Sequence, residues 1–280
     1  MPELHKSTHI RRIAVALDCS PHSKASLGAA AELARQLNAE LTGIYVEDIN
    51  LLRMANLPFC HEIRMYTSES ETFDISTLER SLKVQAKAAE QSLQRIAEDL
   101  MIKQSFRVSR GIVPEEVIAA AGEADLLVLG RSGRSPSCRK GLGSTARKAL
   151  EEGKRPVLFI RPGFSAKEWP VLVLYDGSEG SRQALSTALS IINPDVTLNV
   201  LILGETHEES VELELALSEI IALRGSAVEY HHLPLSSGQT LMRYIRMVDS
   251  GLLVLSDRMK ISREEVHALI NEIDYPVLLV

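Results

Sequence analysis

Three short apolar runs occur twice in this chain, in the same order. IAVALDCS (Ile13–Ser20) returns as VLVLYDGS (Val171–Ser178), DLLVLG (Asp125–Gly130) as GLLVLS (Gly251–Ser256), and RPVLFI (Arg155–Ile160) as YPVLLV (Tyr275–Val280). Each run reads as a short buried strand, and longer helical patterns lie between them. Strands that alternate with helices imply a parallel sheet with helices on both faces. A repeat of that unit implies two domains of one fold. The 280 residues suit two domains of about 100–150 residues each. The expected division is 1–162 and 171–280. The punctuation falls in RPGFSAKEWP, with 163–170 as linker.

In the first copy the strands are expected at Ile13–Leu17, Leu41–Val46, Phe106–Val108, Asp125–Leu129 and Val157–Ile160. Helical spacing marks Ser20–Leu37, Thr77–Leu100, a helix opened by Pro114 and running to about Gly122, and Ser144–Glu152. Between two of these lies LLVLGRSGRSPSCRKGLGST, Leu126 to Thr145. It reads as a strand, a glycine-rich basic loop and a helix N-terminus. Gly130, Gly133 and Gly143 let backbone come close to a ligand, and the helix start at Ser144 and Thr145 offers free N–H donors. That combination suits phosphate. The same glycines would also serve a plain turn. The second copy is shorter: its equivalent loop, SDRMKISREE, has no glycine. The first copy also carries an excursion at Asp48–Glu71, apolar early and Ser/Glu-rich late. It reads either as a lid or partner-binding flap or as a surface excursion covering its own domain.

The net charge of −6 argues against a general nucleic-acid binder. Arg131, Arg134, Arg139 and Lys140 are then a local basic cluster, suited to neutralising phosphate or merely solvated. Cys19, Cys60 and Cys138 show no zinc or CxxC spacing, so reduced thiols are expected. No run reaches the roughly 18 apolar residues of a membrane span, and no signal-peptide core opens the chain. The expectation is a soluble, cytoplasmic protein with no nucleic-acid or membrane partner. GLGSTA (Gly141–Ala146) matches a dinucleotide fingerprint but lacks a strand directly before it, and no P-loop signature occurs. His231 and His232 are adjacent in a strand-like run and point to opposite faces, which disfavours a metal site from that pair. No catalytic triad stands out, and no metal ligands are assigned.

The run VALDCS, the following IYVED, GIVPEEVI at Gly111–Ile118, and the G-x2-G-x9-G-S loop together resemble the universal stress protein family, as two tandem copies. The resemblance implies two tandem flavodoxin-like or Rossmann-like domains, each with a five-stranded parallel sheet and helices on both faces. It implies that the last strands of the two copies pair across a pseudo-two-fold axis, giving an intramolecular pseudo-dimer, with a homodimer of such chains left open. Members with the glycine motif bind ATP, alone or with Mg²⁺, and those without it do not. The first copy resembles the binding type and the second the non-binding type. By this resemblance Asp18 lies beside the adenosine, although a helix-cap role fits it equally. Val46 offers backbone groups to the adenine edge, Ala16 lies beneath the base, and Gly130, Arg131, Gly133, Gly143, Ser144 and Thr145 surround the phosphates. The implied function is a nucleotide-dependent stress sensor or regulator acting on an unknown protein partner. A slow ATP hydrolase and a nucleotide-free interaction scaffold are the alternatives.

Overall fold

The computed structural model describes residues 9–57, 61–63, 70–72, 74–132, 141–162, 170–192, 196–222, 227–234, 238–248 and 251–280. The first half of the chain supplies β1 (Arg12–Ala16), β2 (Glu40–Asp48), β3 (His61–Ile63), β4 (Ser70–Thr72), β5 (Gln104–Gly111), β6 (Leu126–Gly130) and β7 (Val157–Ile160). The second supplies β8 (Val171–Tyr175), β9 (Leu198–Gly204), β10 (Val228–Pro234), β11 (Leu252–Leu255) and β12 (Val277–Leu279). The helices are α1 (Pro21–Leu37), α2 (Ile49–Ala55), α3 (Ile75–Leu100), α4 (Val113–Ala121), α5 (Ser144–Glu152), α6 (Glu179–Ile191), α7 (His207–Ala222), α8 (Gly238–Met247) and α9 (Arg263–Glu272).

Ten strands form one sheet in the order β10-β9-β8-β11-β12-β7-β6-β1-β2-β5, and β3 and β4 pair apart from it as a small antiparallel ladder. Every neighbouring pair in the large sheet is parallel except one. At the seam between the halves, β7 and β12 run antiparallel, with Val277 opposite Phe159 and Leu279 opposite Val157. Within the first half β1 lies between β2 and β6, so the chain changes its direction of travel across the sheet there.

Strands covered on both faces have no polar side to show. All residues of β7, β8 and β9 are buried, which explains why these runs are nearly continuous apolar stretches instead of alternating; the exception, Asn199 of β9, is hydrogen-bonded to His231. The pleat sends neighbours to opposite faces. In β1, Ile13 and Val15 join the core under α1, α3 and α6, while Ala14 joins the core under α4, α5 and α9. Both cores cross the seam: Leu158 and Leu278 belong to one, Phe159 and Val277 to the other. The halves therefore share two continuous hydrophobic layers.

Local signals set the helix ends. The Ser20 side chain accepts from Ser23 N at 3.1 Å, Pro21 opens α1, and left-handed Asn38 closes it. Ser178 caps α6 in the same way, as the repeat requires. Asp74 accepts from Ser76 N and Thr77 N, so α3 begins before Thr77, where the apolar spacing alone would start it. At the outer edge Arg110 of β5 bonds Glu47 of β2 at 2.7 Å and Glu79 of α3 at 3.4 Å, which fastens α3 to the sheet. The excursion contains α2, β3 and β4. Its apolar residues do not all cover the fold, since Leu51, Met54 and Leu57 are exposed.

Candidate functional site

A cavity of about 500 Å³ opens at the carboxyl ends of β1, β2 and β6, at the place where the strand order reverses. Open α/β sheets bind ligands at such points, because the loops leaving the strands diverge there. Ala16, Asp18 and Val46 reach the cavity from the first two strands, and Gly130 from the end of β6. Gly143, Ser144, Thr145 and Ala146 bring the start of α5 to it. Seven of the residues expected from sequence thus meet in one place: Ala16, Asp18, Val46, Gly130, Gly143, Ser144 and Thr145. Gly133, Arg134, Arg139 and Lys140 lie outside the described residues.

The walls divide by chemistry. Ile44, Leu82, Val113, Val117 and Leu129 give an apolar side fit for a planar base. The start of α5 also lines the cavity. Gly143 stands at its N-cap and supplies no side-chain cap, and the first-turn N–H groups of a helix have no partner within the helix. Asp18 lines the cavity as well. Its Oδ1 accepts from Ser20 N at 2.9 Å, and Asp18 N donates to Ser23 Oγ at 3.1 Å, which locks the β1–α1 turn. Cys19 holds the left-handed conformation of that turn at φ 62, where the second half has Gly177 at φ 75.

Gly130 lines the cavity as expected and meets a second constraint: a Cβ there would come within 2.9 Å of His22 Cβ and 3.3 Å of the His22 backbone, where α1 packs closely on β6. One expectation needs correction. Arg131 is expected from the sequence beside the phosphates, but its side chain turns away from the cavity. It is buried, and its guanidinium donates to the carbonyls of Ile273 and Tyr275 in the second half. Burial, aided by the neighbouring Arg161 charge, pulls Arg131 down to about 9, and it remains a cation at neutral pH. A basic residue inside a glycine-rich loop carries no sequence signal for which way it points.

Sequence reasoning missed Ser132, Gln85 and His22. Ser132 lines the cavity, and its Oγ lies 3.0 Å from His22 Nε2. Burial lowers the pKa of His22 against the opposing pull of the Asp18 carboxylate, which favours the neutral imidazole. Gln85 reaches the wall from α3 and accepts from Tyr45 OH at 3.2 Å. Only the register of α3 against β2 could have found it. Among the described residues no group of three His, Cys, Asp or Glu side chains is placed to hold a metal. His231 instead pairs with Asn199 on β9, and His232 with Glu214 on α7.

The sequence profile described as "Universal stress protein family" matches residues 9–161, more than half of the chain. The chain belongs to the universal stress protein family. Universal stress protein MJ0531 of Methanocaldococcus jannaschii is 27% identical over 153 residues, covering 54% of this chain and 82% of that one. A universal stress protein from Archaeoglobus fulgidus has the same fold over the whole length. Its TM-score is 0.72 at 17% identity, with 98% of each chain covered. A universal stress protein solved in complex with cAMP is 19% identical and covers 55% of this chain and 99% of its own, with a TM-score of 0.40. The ten-stranded sheet is thus a universal stress protein fold with the two halves in one chain. Among the described residues no helix is long and apolar enough to cross a membrane.

Proposed function

We propose that the first half binds an adenine nucleotide, ATP in the first instance, and that the complex acts as a regulator in a stress response. The observation that carries this reading is the cavity: an apolar lining, the uncapped start of α5 and the strand-order reversal meet at one place. The apolar wall suits a base, and the α5 N-terminus suits phosphate. Val46 at the end of β2 is positioned to offer backbone groups to the base edge, and Asp18 to accept from its amine or from ribose hydroxyls. Mg²⁺ fits only as an ion brought in by the phosphates, since no protein cage stands there among the described residues. Residues 1–162 form the binding domain in this reading, and 171–280 its partner across the β7–β12 seam. The physiological effector is a protein that distinguishes the loaded from the empty state, in a cytoplasmic setting. The chain alone is already a pseudo-dimer, and a further homodimer is compatible with it.

Calorimetry with ATP, ADP, AMP and cAMP tests the reading. The expected result is ATP binding, lost in Gly143→Val, whose side chain would stand between the α5 N–H groups and the phosphates. No heat with any of the four at millimolar concentration would overturn it and leave a nucleotide-free scaffold. One observation favours a second reading, slow hydrolysis: Ser132 Oγ on the cavity wall lies 3.0 Å from His22 Nε2, and burial favours the base form of that imidazole, which reaches the cavity through the hydroxyl. Steady phosphate release that disappears in His22→Gln would support it, and binding without turnover would not.

A further inference from the structure

Arg131 and Leu142 stand on the two sides of segment 133–140, and they are tied together: Gly143 N donates to Arg131 O at 2.7 Å. Both stems also reach into the second half, Leu142 to the last turn of α9 and Arg131 to the residues that join α9 to β12. The Arg131 guanidinium donates to the carbonyls of Ile273 and Tyr275. Leu142 N donates to Asn271 Oδ1 at 3.2 Å. Arg161, just beyond β7, braces both by donating to Asn271 O at 3.1 Å and to Asp274 Oδ1 at 2.6 Å.

Ordinary interface packing would not need this arrangement. A buried guanidinium is usually matched to a carboxylate or phosphate. Arg131 is only 3% exposed, yet its two bonds go to peptide carbonyls, which have no freedom to follow it. The Leu142 bond fixes a backbone N–H one residue before Gly143 and two before Ser144. Any shift of the α9 end and the turn after it therefore moves the start of α5 and the end of β6 together.

We infer that the C-terminal end of α9 and the turn that follows it in the second half are the positioning element for the phosphate side of the first-half cavity, with Asn271 of the last α9 turn as the principal positioning residue. This rests on the reading that the cavity takes a nucleotide. The second half then has a role although its own loop is glycine-free: it holds the stems of its neighbour's loop. Coupling of this kind is reciprocal, so a nucleotide in the first half tightens the turn in the second.

Asn271→Ala and Asn271→Asp in the full chain test the inference, read by calorimetry with ATP and by amide hydrogen exchange. Asn271→Ala is expected to weaken ATP binding about tenfold, the equivalent of one well-made hydrogen bond, and to speed exchange at 141–145 in the ligand-free protein. Asn271→Asp keeps an acceptor oxygen for Leu142 N and is expected to restore both. ATP is expected to slow exchange at 271–276 in the unmutated chain. Unchanged exchange at 141–145 and unchanged ATP affinity in Asn271→Ala would overturn the inference, as would loss of both in Asn271→Asp at full folding stability. If the unmutated chain binds no ATP, the nucleotide reading fails on its own, and the ligand-free exchange at 141–145 still decides whether the turn holds the stems.

Discussion

The two halves solve the same packing problem with opposite choices. At the crossing of α1 and β6, His22 carries the side chain and Gly130 has none, because a Cβ at Gly130 would lie 2.9 Å from His22 Cβ. At the matching crossing of α6 and β11, Gly180 is bare and Ser256 carries the side chain. A Cβ at Gly180 would lie 2.7 Å from Ser256 Oγ and 2.9 Å from the backbone of Arg258. The repeat aligns His22 with Gly180 and Gly130 with Ser256. The acidic residues follow the same division. Asp18 is partly buried and lines the cavity, with one oxygen on Ser20 N. Asp176 is 1% exposed, accepts from Ser178 N with one oxygen, and accepts from Lys260 N with the other. The shorter second loop lies against the acid, and Lys260 is pinned outside by Glu209 at 2.9 Å. In one half the acid faces a cavity, and in the other a backbone amide takes up the acid's second oxygen.

The largest effect should come from breaking the buried side. Asp176→Ala removes a buried carboxylate and leaves the part-buried amides of Lys260 and Ser178 without their acceptor, at a cost of about 3 kcal/mol. Asp18→Ala loses one turn bond on a half-open wall and should cost about 1 kcal/mol, while weakening ATP binding. Urea unfolding of both variants measures the contrast. Equal costs would mean that the two acids do not differ as their surroundings imply.

A second experiment exchanges the crossing residues. Gly130→Ser forces a Cβ against His22 and should cost about 2 kcal/mol. In a His22→Gly background, which carries the second half's pattern, that penalty should shrink, giving a coupling of about 1 kcal/mol in the double-mutant cycle. Strict additivity would show that the glycine and the histidine are not a matched pair.

Much of this was legible in the residues. The apolar runs marked the strands because parallel strands are covered on both faces, and the repeat in those runs marked two copies of one fold; the pairing of their last strands followed from the family resemblance. Edge strand β5 was traced only at Phe106–Val108, because its flanks alternate and lie partly in solvent. The small hairpin of β3 and β4 was not foreseen, since neither three-residue run has an apolar pattern. At the site, backbone-defined positions such as Gly130 and Ser144 were found through spacing. Arg131 was misassigned and Gln85 missed for one shared reason: their directions depend on elements distant in sequence, the α9–β12 turn and the packing of α3.

The smallest effect concerns pH, and it belongs to the first half alone, since Gly180 leaves the second half nothing to titrate at that crossing. Burial lowers the His22 pKa below 6.5, with Asp18 opposing and Arg161 adding to the shift. Between the unfolded and folded values the unfolded chain then binds more protons than the native one, so stability rises with pH. The contribution is whole above 6.5 and is lost as pH falls through the lower native value. Thermal melts at pH 7 and pH 5 should therefore show a steeper acid loss in the unmutated chain than in His22→Gln. The difference should be small, because the imidazole is well short of full burial and shares the charges of Asp18 and Arg161. Bound ATP should enlarge it if the imidazole must stay neutral beside Ser132 in the loaded site. It should reverse it if the phosphates draw a proton onto His22. Equal slopes in the ligand-free proteins would mean that the His22 side of the crossing is as indifferent to protons as the Gly180 side.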